Sequence, residues 1–307
     1  NPAGPFFASM TGNQWTLQII SPLLDAGTIP APAVPTDYTG NPRIYNYDIG
    51  TYEYQYSRWK TTASTTDWNT GDNWYGGIPV SNRDVIIPAG ASLYPTATPG
   101  PDLTIGAGKQ MIIEPGARVT INSLTNNGTI KLNHNATDFA SLILDSYTRG
   151  IGGSEEIELY LEGGGSALNE DYKWHYISTP VSSLLTDVFT VNTYNLAQFV
   201  ETRPSASLLQ GWVAYDGYVY STGNYDCPTF SSLIPGKGYN YFNDVSITYS
   251  FGGMFNTSDL PAALSFTTGT PLSMHGFNLL GNPFSSGLNW DDIIDGLFFP
   301  YPANTSK

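Results

Sequence analysis

The stretch Asp67-Trp68-Asn69-Thr70-Gly71-Asp72-Asn73 places oxygen-bearing side chains at alternate positions of a loop. Ca²⁺ takes about six to eight oxygen ligands, and alternating side chains in a tight loop can wrap it. Asp67, Asn69 and Asp72 are the candidate ligands. An EF-hand would carry a bidentate Glu at its twelfth position, which here is Ile78. The same residue types cap turns by accepting nearby backbone N–H groups. A calcium site and a plain Asx turn therefore both fit the pattern.

Asp291, Asp292 and Asp295 form a second acidic cluster. Two facing carboxylates can hydrolyse a glycosidic bond. Acids following Trp290 also suit the first turn of a short helix, Asp291–Leu297, where the macrodipole favours them. His175, Ser178 and Asp171 have the residue types of a nucleophilic triad. On a strand, however, positions 171 and 175 face one way and 178 the other, and no Gly-x-Ser-x-Gly elbow is present. Gly236-Lys237-Gly238 lacks phosphate-loop spacing and reads as a turn into the strand Tyr239–Phe242. The single cysteine, Cys227, excludes an internal disulfide and a four-cysteine metal site. With no His or Lys close in sequence, its thiol is expected to be buried rather than reactive.

Aromatic residues make up 14% of the chain, enough for both a core and a ligand surface. A flat ring with a polar tip can stack on a sugar ring. The glycan-contact candidates are Tyr52, Tyr54 and Tyr56, then Trp74 and Tyr75, then Tyr215, Tyr218 and Tyr220. The first three alternate, which places their rings on one face of a strand. Packing within sheets or between modules competes for all of them.

These residues must be carried by β-structure. Gly, Pro and Tyr are abundant, and charged residues are only 12% of the chain against roughly 25% in an average domain. Long surface helices need more charge than this. Strand-like runs are predicted at Trp15–Ile20, Arg43–Asp48 and Tyr52–Tyr56. Apolar pairs then recur as Val85/Ile87, Leu103/Ile105, Met111/Ile113, Val119/Ile121, Ile130/Leu132 and Leu142/Leu144, separated by Gly, Pro and Asn turn signals. Each pair points to one side of a strand. A short parallel β-helix of 2–3 coils fits this texture. So does an antiparallel meander, with Asn127-Gly128 as a type I′ turn.

The run Glu155–Glu162 reads as a half-buried strand, with Ile157, Leu159 and Leu161 inward and an acidic outer face. Short strands around Trp174–Ile177, Trp212–Tyr215, Tyr239–Phe242, Ser246–Phe251 and Phe277–Leu280 suit an antiparallel sandwich. The expected organisation is an N-terminal β segment (1–60), a β-helix-like module (61–150) and a β-sandwich (151–307). Asn13–Pro22 echoes Tyr172–Pro180 as a Trp-led strand ending at Ser/Thr-Pro, so the first segment also reads as the tail of a preceding sandwich.

Acidic residues number 26 against 12 basic, a net charge of −14. Counterion release on nucleic acid requires clustered Lys and Arg, and an anionic membrane repels such a chain. No apolar run approaches the ~18 residues of a membrane helix.

Several motifs, taken in order, resemble a known family. Asp67–Trp74, Gly77-Ile-Pro79, Asp84–Gly90, Tyr94-Pro95 and Leu124–Gly128 are similar to a module of large secreted surface proteins of Bacteroidota. Trp174–Pro180, Pro235-Gly-Lys-Gly-Tyr239, Leu280–Ser286 and Asn289-Trp290 are similar to its companion module. The resemblance covers about residues 60–295. It implies export by the type IX secretion system, a short β-helical stack followed by a β-sandwich, and no established enzymatic activity. In such proteins further strands and a sorting domain follow the Gly-Asn-Pro…Trp segment. The chain starts at Asn1 and stops at Lys307, so a piece of a longer polypeptide is expected.

The expected function is a non-catalytic structural or adhesive module at the cell surface. Its partners would be other modules, neighbouring surface proteins, glycans and the secretion machinery. The alternative is a carbohydrate-binding module attached to a polysaccharide-acting enzyme. No cofactor is expected apart from the candidate Ca²⁺.

Overall fold

A computed structural model describes residues 7–9, 16–19, 21–164, 172–189, 195–202, 211–219, 222–260, 264–266 and 276–288. The chain is all-β; helix among the described residues is limited to 3-10 turns such as Gly71–Asn73 and Thr186–Phe189. It divides into two units, residues 1–161 with 247–257, and residues 162–246 with 258–307.

In the first unit β1 (Phe7–Ser9) pairs antiparallel with β2 (Thr16–Leu17). Next come β3 (Tyr56–Trp59), β4 (Trp74–Tyr75), β5 (Asp84–Ile87), β6 (Asp102–Ile105) and β7 (Gln110–Ile113). β8 (Arg118–Asn126), β9 (Thr129–Leu132), β10 (Ser141–Arg149) and β11 (Ser154–Leu161) follow. β3, β5, β7, β9 and β11 lie parallel in one sheet, and β6, β8 and β10 lie parallel in another. The chain alternates between the two sheets. It therefore winds a parallel β-solenoid of about three turns, not the antiparallel meander.

The apolar pairs dictate this winding. Register places Val85, Met111 and Ile130 on one ladder, and Ile87, Ile113, Leu132 and Ile157 on the next. On the opposite sheet Val119 faces Leu142 and Ile121 faces Leu144. All of these side chains except half-buried Leu144 are buried, each buried one contributing about 1.5–3 kcal/mol through removal from water. Asn127-Gly128 makes no type I′ turn, since neither residue has positive φ. It forms a solenoid corner, where a Cβ on Gly128 would stand 2.2 Å from the Lys109 carbonyl oxygen.

At the last coil the interior turns polar. Glu155 continues the Val85–Met111–Ile130 ladder with a fully buried side chain. It accepts hydrogen bonds from Arg149, the Tyr147 hydroxyl and Asn126 Nδ2. Phe255 packs edge-on against Tyr147 at 5.1 Å. The strand Ile247–Gly252 pairs antiparallel with β11, and β4 pairs antiparallel with β3, so both edges of the seven-stranded sheet are capped. Thus β11 and Ile247–Gly252, read from sequence as sandwich strands beyond residue 150, belong to the unit that holds the solenoid.

The segment ahead of β3 packs on the outside of this sheet, with Ile19, Ile44 and Tyr56 clustering on Ile86. The strands expected at Arg43–Asp48 and Tyr52–Tyr56 do not form before Tyr56. Carboxylates take the place of a neighbouring strand. Glu53 accepts from Ile44 N and Asp48 N, Asp48 from Asp25 N and Tyr54 N, and Asp37 from Thr39 N, Asn41 N and Glu53 N. Buried backbone donors need partners, and here side chains supply them.

The second unit contains β12 (His175–Ile177), β13 (Leu184–Leu185), β14 (Ala197–Phe199), β15 (Trp212–Ala214), β16 (Tyr218–Val219), β17 (Asn224–Tyr225), β18 (Ser232–Leu233) and β19 (Tyr239–Tyr241); Ile247–Gly252 is β20. Six strands form an antiparallel sheet in the order β12-β19-β14-β15-β16-β17, and β13 pairs with β18. Ile177, Tyr239, Tyr241, Val213 and Val219 are buried on its inner face, with Phe189 packed 4.7 Å from the Tyr241 ring. Phe277–Leu280 contributes only a bridge, Leu280 to Lys237.

Candidate functional site

The candidate residues separate into packed and reachable ones. Trp59, Trp68 and Trp74 form an edge-to-face cluster with centroids 4.9 and 4.7 Å apart. The indole of Trp74 donates to the Trp68 carbonyl and that of Trp59 to the Leu93 carbonyl. Trp74 and Tyr56 are both buried, which corrects their assignment as sugar contacts. Tyr56 donates its hydroxyl to Asp25, and half-buried Tyr54 donates to Asp84. Tyr52 meets Tyr38 edge-on at 6.1 Å. The three alternating tyrosines do not share a strand face, because β3 starts only at Tyr56. Half-buried Tyr75 lies 4.6 Å from exposed Tyr45, with Lys60 Nζ 5.1 Å from its ring centroid.

The Asp67 loop stays together as one turn. Asp67 Oδ1 accepts from Asn69 N, and Oδ2 accepts from Thr70 Oγ1. Asn73 is fully buried and donates to the carbonyls of Thr65 and Asp67. Asn69 and Asp72 are exposed. These hydrogen bonds account for the residue types of the loop by Asx capping.

His175 donates from Nε2 to the Glu162 carbonyl at 2.8 Å, while Ser178 Oγ donates to the Asn282 carbonyl. The two side chains are thus committed to different backbone partners. Asp171, Tyr220, Asp291, Asp292, Asp295 and the helix expected at Asp291–Leu297 lie outside the described residues. Cys227 is half-buried rather than fully buried.

Two strongly exposed rings of the second unit lie outside the sequence candidates. On the outer face of the six-stranded sheet, Tyr176 is 73% and Tyr225 72% exposed. Trp212 lies parallel to Tyr176, with an interplanar angle of 8° and centroids 6.4 Å apart. Phe199, paired with Trp212 across β14–β15, meets its indole edge-on at 5.5 Å. Tyr218 touches Tyr225 edge-on at 5.3 Å, and Tyr215 is half-buried.

Phe199 also lines a cleft of about 320 Å³ with Glu201, Ile234, Lys237, Leu279 and Leu280 among its walls. Two of the sequence motifs build it. Gly238 N donates to the Leu279 carbonyl, and Gly281 N donates to the Gly236 carbonyl. A Cβ on Gly281 would stand 2.3 Å from Ser178 Cβ, so only glycine permits this approach. Glu201 is buried and accepts from Gly276 N. Asn278 closes the wall by bonding Ser265 N and O and the Gly276 carbonyl. Lys237 Nζ reaches the Gln198 amide oxygen and lies 5.8 Å from the Tyr239 ring centroid. Burial pushes its pKa below the usual lysine value.

No curated protein and no solved structure matches this chain. One family profile does match, over residues 58–301, a span that opens inside β3 and takes in the solenoid strands and the six-stranded sheet together. Because the match covers well over half of the 307 residues, the chain belongs to the family described as a domain of unknown function, DUF8693.

Proposed function

We propose that this chain is a non-catalytic structural and adhesive module of a large secreted cell-surface protein. In this reading the solenoid is a stiff spacer and the outer face of the six-stranded sheet is the contact surface. The observation that carries it is the parallel pair of exposed Tyr176 and half-buried Trp212 on the outer sheet face, while the inner face of the same sheet is packed. Accessible flat rings are the side chains that stack on saccharides or on a partner's apolar surface. Export by the type IX route and a place among Bacteroidota surface proteins belong to the proposal and rest on motif resemblance.

The second reading, a carbohydrate-binding module, is favoured by the same two rings. A glycan array probed with the intact chain tests both. Retention of at least one glycan class, weakened about tenfold in Trp212→Ala, or ~1.4 kcal/mol, is the expected result for saccharide contact. Turnover of a polysaccharide or peptide by the purified chain would refute the non-catalytic assignment.

A further inference from the structure

We propose that the cleft beside Phe199 recognises a carboxylate-bearing saccharide, a uronic-acid unit, with the sugar carboxylate held by Lys237 and the chain running out over Phe199 and Trp212. This deepens the reading above, since it rests on the aromatic face being a saccharide surface.

The argument begins with charge. Acids outnumber bases by more than two to one in this chain, yet Lys237 takes part in no ion pair among the described residues. Among the described residues, the one hydrogen bond of its ammonium goes to a neutral amide oxygen, on Gln198. An ammonium has three donors and no acceptor. Two N–H groups are therefore left for a ligand, at a half-buried position where an unpaired cation is costly. The other polar groups of the cleft are already used. Asn278 is bonded at both ends of its amide, and Glu201 holds the Gly276 backbone. Among the described residues no ion pair joins Glu201 to Lys237.

The remaining walls choose the ligand body. Ile234, Pro235, Leu279 and Leu280 are apolar, which suits the C–H face of a pyranose better than a fully hydrated phosphate. A volume of about 320 Å³ is at the small end for ligand pockets, the size for one or two sugar units. Outside it, the rings follow in sequence: Phe199 to Trp212 at 5.5 Å, and Trp212 to Tyr176 at 6.4 Å. A peptide carboxyl terminus or a small organic acid would use Lys237 without needing that path. The net charge of −14 does not forbid an acidic ligand, since exposed charges beyond about 8 Å are screened at physiological salt.

The test is calorimetric titration of the intact chain with oligogalacturonides, with the same oligomers after carboxyl reduction, and with acetate. Lys237→Met, Lys237→Arg and Trp212→Ala variants run in parallel. Acidic oligomers should bind at least tenfold more tightly than the reduced ones. Lys237→Met should erase that difference and Lys237→Arg should keep it, while Trp212→Ala should weaken both oligomers. Equal affinity for acidic and reduced oligomers, with Lys237→Met indifferent, overturns the carboxylate assignment and leaves the aromatic surface standing. Acetate binding as tightly as the oligomers, with Trp212→Ala indifferent, overturns the saccharide assignment. Absence of binding by any saccharide overturns both this inference and the reading beneath it.

Discussion

Removing Arg149 should damage the solenoid far more than removing Arg149 and Glu155 together. Glu155 occupies the rung that follows Val85, Met111 and Ile130, and its side chain has no solvent exposure. Among the described residues Arg149 supplies its only cation, with Nε at 3.1 Å and a second bond through Nη2. In Arg149→Met the carboxylate keeps only neutral donors, the Tyr147 hydroxyl and Asn126 Nδ2. Breaking a fully buried pair costs about 3–5 kcal/mol. The Arg149 side chain is 32% exposed and two donors remain, so the expected loss is about 2–3 kcal/mol. Glu155→Leu alone should cost about 1–2 kcal/mol, because the guanidinium can turn to water while Tyr147 and Asn126 lose an acceptor.

The double variant places a leucine on an aliphatic ladder and should lie within about 1 kcal/mol of the parent, since hydrophobic replacement of a buried pair is often neutral. The coupling is then about 3 kcal/mol, read from hydrogen exchange of the β9 and β11 amides across a urea series. If Arg149→Met shifts those amides by less than about 0.5 kcal/mol, or the two losses simply add, the pairing is not what closes this end of the solenoid.

Two further outcomes follow from the carboxylates and the glycines. Burial, with some help from Glu53, pushes Asp25 and Asp48 up from 3.8 to about 6, whereas for Asp37 burial is outweighed by donated hydrogen bonds and its pKa falls to about 2. The first two contribute stability that is complete below pH 3.8 and lost as pH rises through about 6; Asp37 contributes stability present above pH 3.8 and lost as pH falls through about 2. Exchange protection of the Ile44 and Tyr54 amides should therefore peak near pH 4, and Asp48→Asn should flatten the alkaline side of that peak; protection rising steadily from pH 4 to 7 contradicts it. Gly238→Ala puts a Cβ 2.5 Å from Leu279 Cγ and 2.9 Å from the Leu280 carbonyl oxygen. Overpacking of this kind costs about 1–3 kcal/mol, visible as faster exchange at Gly238 and Gly281, and a variant with parental protection there would show that the two motifs do not need their close contact.

The all-β class and the solenoid texture were legible because each rung is local. Val85/Ile87, Met111/Ile113 and Ile130/Leu132 face inward by alternation alone, and each pairs in register with its neighbour in the stack. The sense of winding was not legible, since the same pairs serve a meander; corners decide it, and the corner at Asn127-Gly128 copies a hairpin signal without making one. Alternation also fails inside β8, where Ile121 and Leu124 are both buried although three positions apart. Ahead of β3, strand-like residues stay irregular because Glu53, Asp48 and Asp37 satisfy the backbone from the side. No pattern of hydrophobicity records that.

The site was hidden for a related reason. Eight aromatic residues were candidates for sugar contact, and two of them, Tyr56 and Trp74, turned out to be core. The parallel pair on the outer face, Tyr176 and Trp212, is brought together by the strand order β12-β19-β14-β15, in which β19 comes from far along the chain. Lys237 carried no signal at all, since a lysine between two glycines looks like any exposed turn. What distinguishes it is a fact of tertiary structure, that among the described residues no carboxylate forms an ion pair with it. Interiors assembled from nearest neighbours are written in local spacing. A surface assembled from strands distant in sequence is not, and the contact surface proposed for this protein is of the second kind.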